Sequence, residues 1–166
     1  MTTYYLDTSA LVKYYVTEPG SVWIRQLVDE QDNVLVSAEI VITEVSAALA
    51  VITRVGRASR RQRDELWGKF KQDLLTQYAL LPTHRAIINR AAELCQQHPL
   101  RGFDAIHLAS GLYLRETLTQ QDDSAISIYV TGDHSLINAA QAEGLKVENP
   151  FWHTDLDALP SGGKRG

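Results

Sequence analysis

At 166 residues, with a net charge of −4 and an apolar share of 45%, the chain has the size and balance of one globular domain with a substantial core. No apolar run reaches the about 20 residues that a membrane helix needs, and the single cysteine, Cys95, excludes an intrachain disulfide and a zinc site built on several cysteines. The mild acidity argues weakly against a polyanionic substrate, because where the charge sits matters more than its total.

Met1-Thr2-Thr3 carries no basic residue and no long apolar stretch follows, so a secretory signal is not expected and a cytoplasmic location is. Residues 3–6 read as a first strand ending at Asp7, followed by a short helix over 9–15, a Pro19-Gly20 break and a second helix over 21–30. The β-branched run 33–37 reads as a buried strand. Residues 39–55 read as a helix closed by Gly56 and apolar nearly all round, which predicts burial. Ser59 is placed to cap a long helix to about residue 77, and 78–81 reads as a third strand stopped by Pro82. Further helices are expected over 84–97 and 104–117, then a polar loop at 120–124 and a strand over 126–130. Asp133 is placed to cap a helix to residue 143, and 145–148 reads as a fifth strand.

Strands alternating with helices predict right-handed crossovers and a mainly parallel sheet of about five strands, in a three-layer α/β/α sandwich. Residues 1–148 form the expected domain and 149–166 an appendage. Phe151 and Trp152 are expected to dock on the body, and 161–166 to be disordered. Cys95 falls on the stripe of Ile87, Ile88, Ala91 and Leu94, a packing position rather than a nucleophile's.

Four acids carry the chemical interest. In open parallel sheets, ligands bind beyond the carboxyl ends of strands, where strand order reverses. Asp7 follows the first strand and Asp133 follows the fourth by three residues. Both are also good helix caps, and one residue can serve as cap and ligand together. Glu44 lies on the apolar helix, on a face with Ile40, Ala47, Ala48 and Val51. A carboxylate buried there must pair, protonate or bind a metal, unless it reaches water at a rim. Asp104 opens a helix, where capping alone could account for it. His107 is expected to pack or to hydrogen-bond within its helix. Brought together, the four acids would form an all-oxygen site for Mg²⁺ or Mn²⁺.

Leu6-Asp7-Thr8-Ser9-Ala10-Leu11-Val12-Lys13, Thr43-Glu44-Val45, Phe103-Asp104-Ala105-Ile106-His107-Leu108-Ala109 and Val130-Thr131-Gly132-Asp133, in this order and spacing, resemble the motifs of PIN-domain ribonucleases. The likeness covers about residues 3–148 and is strongest to VapC-type toxins of VapBC toxin–antitoxin pairs. It implies a five-stranded parallel sheet with Asp7, Glu44, Asp104 and Asp133 around one pocket, Ser9 and Thr131 supplying hydroxyls beside the acids. It also implies an endoribonuclease that leaves a 5′-phosphate and a 3′-hydroxyl, a tight complex with an antitoxin, and a homodimer.

The expected chemistry is hydrolysis of RNA by water activated on Mg²⁺ or Mn²⁺. Asp7 and Asp104 are the expected direct ligands, with Glu44 and Asp133 acting through water, at a second ion, or on the nucleophile. Lys13, Arg57, Arg60 and Arg61 are candidates for gripping RNA phosphates, with Arg54 and Arg63 nearby. The arginines fit a solvated helix face slightly better than a phosphate grip. Two other classes compete. A small-substrate phosphohydrolase of the haloacid-dehalogenase kind wants a second Asp where Ser9 stands. A non-catalytic binding module should have lost some of the four acids.

Overall fold

The computed structural model describes residues 1–158; the expected disorder of 161–166 falls outside them. Five strands form one sheet: β1 (Thr2–Leu6), β2 (Asn33–Ala38), β3 (Tyr78–Leu81), β4 (Ser127–Val130) and β5 (Val147–Glu148). Their order is β3-β2-β1-β4-β5 and every pairing is parallel. The chain moves outward from β1 to β3, then returns to the other side of β1 with β4. The reversal point therefore lies between β1 and β4, with Leu6 opposite Val130.

Alternation along each central strand divides the core in two. Tyr5, Val36 and Tyr129 face one side; Leu6, Leu35 and Val130 face the other. Both sets are buried, because crossover helices cover both faces of a parallel sheet. Helices α5 (Arg85–Gln97), α6 (Gly102–Gln121) and α7 (His134–Ala142) cover the first face. Helices α1 (Thr8–Tyr15), α2 (Ser21–Asp29), α3 (Val41–Arg54) and α4 (Arg60–Thr76) cover the second. Ser59 caps α4 in a capping box with Gln62.

Two elements differ from the sequence expectation. Helix α6 starts at Gly102 and runs to Gln121, so Asp104 is its third residue rather than its first, and the helix takes the start of the expected polar loop. Helix α3 is not buried all round. Only Val41, Val45, Leu49 and Ile52 are buried, while Ile42 and Val51 are exposed. A helix lying on one face of a sheet buries one stripe, whatever its other residues are.

The appendage after β5 is a 3₁₀ segment, Pro150–Ala158, kinked at His153. It packs on α2: the His153 ring stacks on Trp23 with centroids 4.2 Å apart. Phe151 and Trp152, expected to be the docking residues, are 45% and 54% exposed. Cys95 packs at the margin of the α5–α6 core. Among the described residues, no helix is long and apolar enough to cross a membrane.

Candidate active site

All four acids line one cavity of about 420 Å³ beyond the carboxyl ends of β1 and β4. Each stands at the N-terminal end of a different helix. Asp7 caps α1 and Asp133 caps α7, accepting from Ala10 N and Leu136 N respectively, both at 2.9 Å. Glu44 and Asp104 lie in the first turns of α3 and α6. Four helix N-termini thus place partial positive charge near the carboxylates that line the cavity.

The acids are held by different means. Asp7 is 4% exposed and fully engaged. Ser9 Oγ is 2.8 Å from Oδ1 and 3.0 Å from Oδ2, and Thr131 Oγ1 donates to Oδ2 at 2.6 Å. Gly132 N in turn donates to Ser9 Oγ at 2.9 Å, and Asp133 N to Thr131 Oγ1 at 3.1 Å. These bonds tie the end of β1 to the end of β4. Burial raises the Asp7 pKa above its ordinary value; the nearby His107 and the hydrogen bonds from Thr131, Ala10 and Ser9 only partly counter it.

Glu44 Oε2 accepts from Thr8 Oγ1 at 2.5 Å and bonds His107 Nε2 at 2.6 Å. Burial alone would raise its pKa, but the His107 hydrogen bond and charge, with the Thr8 bond, lower it on balance. The other ring nitrogen of His107 meets the Tyr5 hydroxyl at 2.8 Å. With a proton on Nε2 the ring donates to Glu44, while Nδ1 meets the Tyr5 hydroxyl. His107 therefore reaches across to α3 and β1, and its partners are not in its own helix as expected. The reason is its place on the sheet-facing side of α6, where it is 2% exposed.

Asp104 Oδ2 accepts from Arg101 Nε at 2.9 Å and Arg101 N at 3.3 Å. The Arg101 side chain is 82% exposed, and this pairing raises the arginine's own pKa. Lys13 also lines the cavity, its buried ammonium paired with Glu18 at 3.2 Å. Arg57 reaches the same Glu18 at 3.6 Å from the rim. Arg60 and Arg61 sit on exposed α4 away from the lining, and Arg61 pairs with Glu65 at 2.9 Å.

Sequence reasoning did not single out Arg101 or Thr8, and took Phe151 only as a docking residue, yet all three line the cavity. Arg101 had a usable signal: a base three residues before an acid at a helix start. Phe151 had none, since its position depends on how the appendage folds back.

The four acids, with the hydroxyls of Thr8 and Ser9, supply oxygen donors of the right kind for a hard cation. Among the described residues, however, no three His, Cys, Asp or Glu side chains are gathered closely enough to hold an ion as they stand. Each carboxylate instead accepts hydrogen bonds from its own neighbours.

Residues 4–141 match the PIN domain family. Ribonuclease VapC45 of Mycobacterium tuberculosis is 36% identical over 150 residues, covering 86% of this chain and 92% of that protein. The fold is shared with the crystal structure of VapC20 from the same species, a Sarcin-Ricin loop cleaving toxin, at a TM-score of 0.57 and 15% identity over 86% of this chain and 95% of that one. It is shared too with VapBC2 of Rickettsia felis bound to a DNA fragment from its promoter, at a TM-score of 0.56 and 14% identity over 89% of this chain and 98% of that one. With the motifs in order, the acids around one cavity and these likenesses together, the chain belongs to the PIN domain family, in the group that holds the VapC ribonucleases.

Proposed function

We propose that the protein is an endoribonuclease that hydrolyses RNA phosphodiester bonds and serves as the toxin of a type II toxin–antitoxin pair. The observation that carries this reading is the meeting of Asp7, Glu44, Asp104 and Asp133, from four separate helix starts, around one open cavity. The 36% identical ribonuclease relative supports the reaction class, and the DNA-bound VapBC2 neighbour supports an antitoxin partner. A cytoplasmic location belongs with this reading, since RNA and a DNA-bound partner are found there. A homodimer does too, and the exposed Ile42 and Val51 on α3 supply apolar surface for protein contacts.

The four acids suit Mg²⁺ or Mn²⁺. Asp7 and Asp104 would be direct ligands, with Glu44 and Asp133 completing the site. Such an ion, when bound, supplies water of lowered pKa near neutral pH and offsets charge on the phosphoryl oxygens. The chain's own residues do the rest. Ser9 and Thr131 hold the Asp7 carboxylate in one orientation. His107 and Thr8 both bond Glu44 Oε2, which keeps Glu44 ionised and leaves Oε1 to accept a proton from the attacking water. Arg101 and Lys13 are the cations placed at the cavity to meet phosphate.

The test is cleavage of single-stranded RNA with Mn²⁺ and with chelator, by the wild type and by Asp7→Asn. Asn keeps the helix cap but loses the charge. Wild-type cleavage should require the ion. Asp7→Asn should lose more than the roughly 10–100-fold typical of losing a residue behind a metal ligand. Cleavage that persists in Asp7→Asn, or that ignores chelator, would overturn the assignment.

A further inference from the structure

The sheet is complete at β5, yet the 3₁₀ segment that follows is firmly seated. Asp157 accepts from the N–H groups of Gly20 at 2.7 Å and Val22 at 3.2 Å, at the start of α2. Gly20 has φ +86°, and a Cβ there would stand 2.5 Å from the Pro150 carbonyl oxygen. Only glycine allows so close an approach. His153 stacks on Trp23 and bonds Glu148 at 2.8 Å. Asn149, 1% exposed, accepts from Phe151 N through its side chain at 2.9 Å. The backbone that carries Phe151 is therefore fixed from both sides.

The Phe151 ring lines the same cavity as Asp7 and Asp133, at its mouth. The Lys13 ammonium lies over the ring, 4.2 Å from its centroid. Ring atom Cε2 is 3.0 Å from where a Cβ on Gly132 would be, so a glycine beside Asp133 makes the room. Despite these contacts the ring is 45% exposed. A phenyl ring fixed by backbone bonds, backed by a cation and left open beside an acidic cavity is poorly used as core. It offers what unpaired RNA binds: a flat apolar surface left partly open to solvent.

We propose that Phe151 is a stacking platform for one unpaired base next to the scissile phosphate. Residues 150–158 are then part of the substrate site rather than a trailing appendage. The inference rests on the ribonuclease reading above and adds to it the residue that selects a single-stranded substrate and sets its affinity.

The experiment measures kcat and KM on a short single-stranded RNA that the wild type cleaves, and on copies with one abasic nucleotide at successive positions. Base–aromatic stacking measured by alanine substitution predicts a roughly 5- to 150-fold higher KM for Phe151→Ala, with kcat little changed. Phe151→Trp should match or better the wild type. Phe151→Leu keeps apolar bulk without the π face and should resemble the alanine variant, which separates stacking from loss of packing. At one abasic position the wild type should lose as much as Phe151→Ala, and the variant should lose nothing further. An unchanged KM in Phe151→Ala overturns the proposal. So does full activity in Phe151→Leu, or a penalty equal at every abasic position. A variant with unchanged RNA kinetics but weaker inhibition by the antitoxin would assign the ring to the protein partner and overturn it too. Failure of the wild type to cleave any RNA defeats the ribonuclease reading itself, and this inference falls with it.

Discussion

Asp7 and Asp104 face the same cavity, yet they are held in opposite ways. Asp7 stands where β1 and β4 end side by side, buried, with its carboxylate bonded by Ser9, Thr131 and a backbone N–H. Asp104 stands on the first turn of α6, bonded to the backbone and side chain of Arg101, whose guanidinium is mostly in water. The strand-end wall is fixed by parallel pairing and by hydrogen bonds that cross from one strand end to the next. The helical rim is fixed by a surface pair that is worth little and is easily exchanged. Asp7 is thus held by a buried network between two strand ends, and Asp104 by one partner at the surface.

The contrast can be broken most sharply at Thr131. Thr131→Val keeps the shape and deletes the donor to Asp7 Oδ2. Activity should fall about 10–100-fold although the hydroxyl supports a site residue from behind. Thermal unfolding should shift by about 1.5 kcal/mol, near the low end for a hydrogen bond to a charged group, because Ser9 and Ala10 still hold Asp7. Wild-type rates in Thr131→Val would mean that the wall is not what orients Asp7.

A smaller effect is expected at Arg101. Arg101→Ala removes the cation paired with Asp104, which would compete with the proposed metal for that carboxylate. Calorimetric titration should show tighter Mn²⁺ binding, by up to about fivefold, since an exposed pair is worth at most about 1 kcal/mol. Unfolding should change by no more than about 0.5 kcal/mol. Weaker Mn²⁺ binding in this variant would make Arg101 a support of the site rather than a competitor.

The smallest effect concerns an ordinary ion pair outside the cavity. Arg90 bonds Glu116 through two hydrogen bonds of 2.8 Å between α5 and α6. The hydrogen bond from Arg90 is the main reason that the Glu116 pKa lies below its ordinary value. A carboxylate with a lowered folded-state pKa stabilises the fold above its unfolded pKa and loses that contribution as pH falls through the folded value. Glu116→Gln should therefore cost about 0.2–1 kcal/mol at neutral pH, the range for an exposed pair. The gap from wild type should close as pH falls below about 4.3, the ordinary glutamate value. A gap that persists in acid would mean that packing, not charge, gives this pair its value.

Much of the architecture was legible beforehand because it is local. Strand β3 at Tyr78–Leu81 and the Ser59 cap of α4 follow from β-branched or apolar runs and from capping chemistry within a few residues. The start of α6 was expected at Asp104, two residues late; the helix gains Gly102 and Phe103 through the Arg101–Asp104 capping contacts, which join residues three apart. The burial of α3 was overstated because composition cannot tell which side of a helix meets the sheet. The same ignorance hid the partners of His107, which lie 102 residues away at Tyr5 and 63 away at Glu44.

By itself the sequence determined which residues could serve as oxygen donors, that they would stand at strand ends and helix starts, and that strands and helices would alternate. These depend on periodicity and capping, which act over a few neighbouring residues. Only the tertiary structure decided that β4 lies beside β1, so that Asp7 and Asp133 share one cavity, that Glu44 and Asp104 face it from two further helices, and that the appendage folds back to set Phe151 at its mouth. Those outcomes depend on strand order, on which helix face is buried and on backbone approaches such as Gly20 to Pro150. Such contacts join residues far apart in the chain, and no local pattern encodes them.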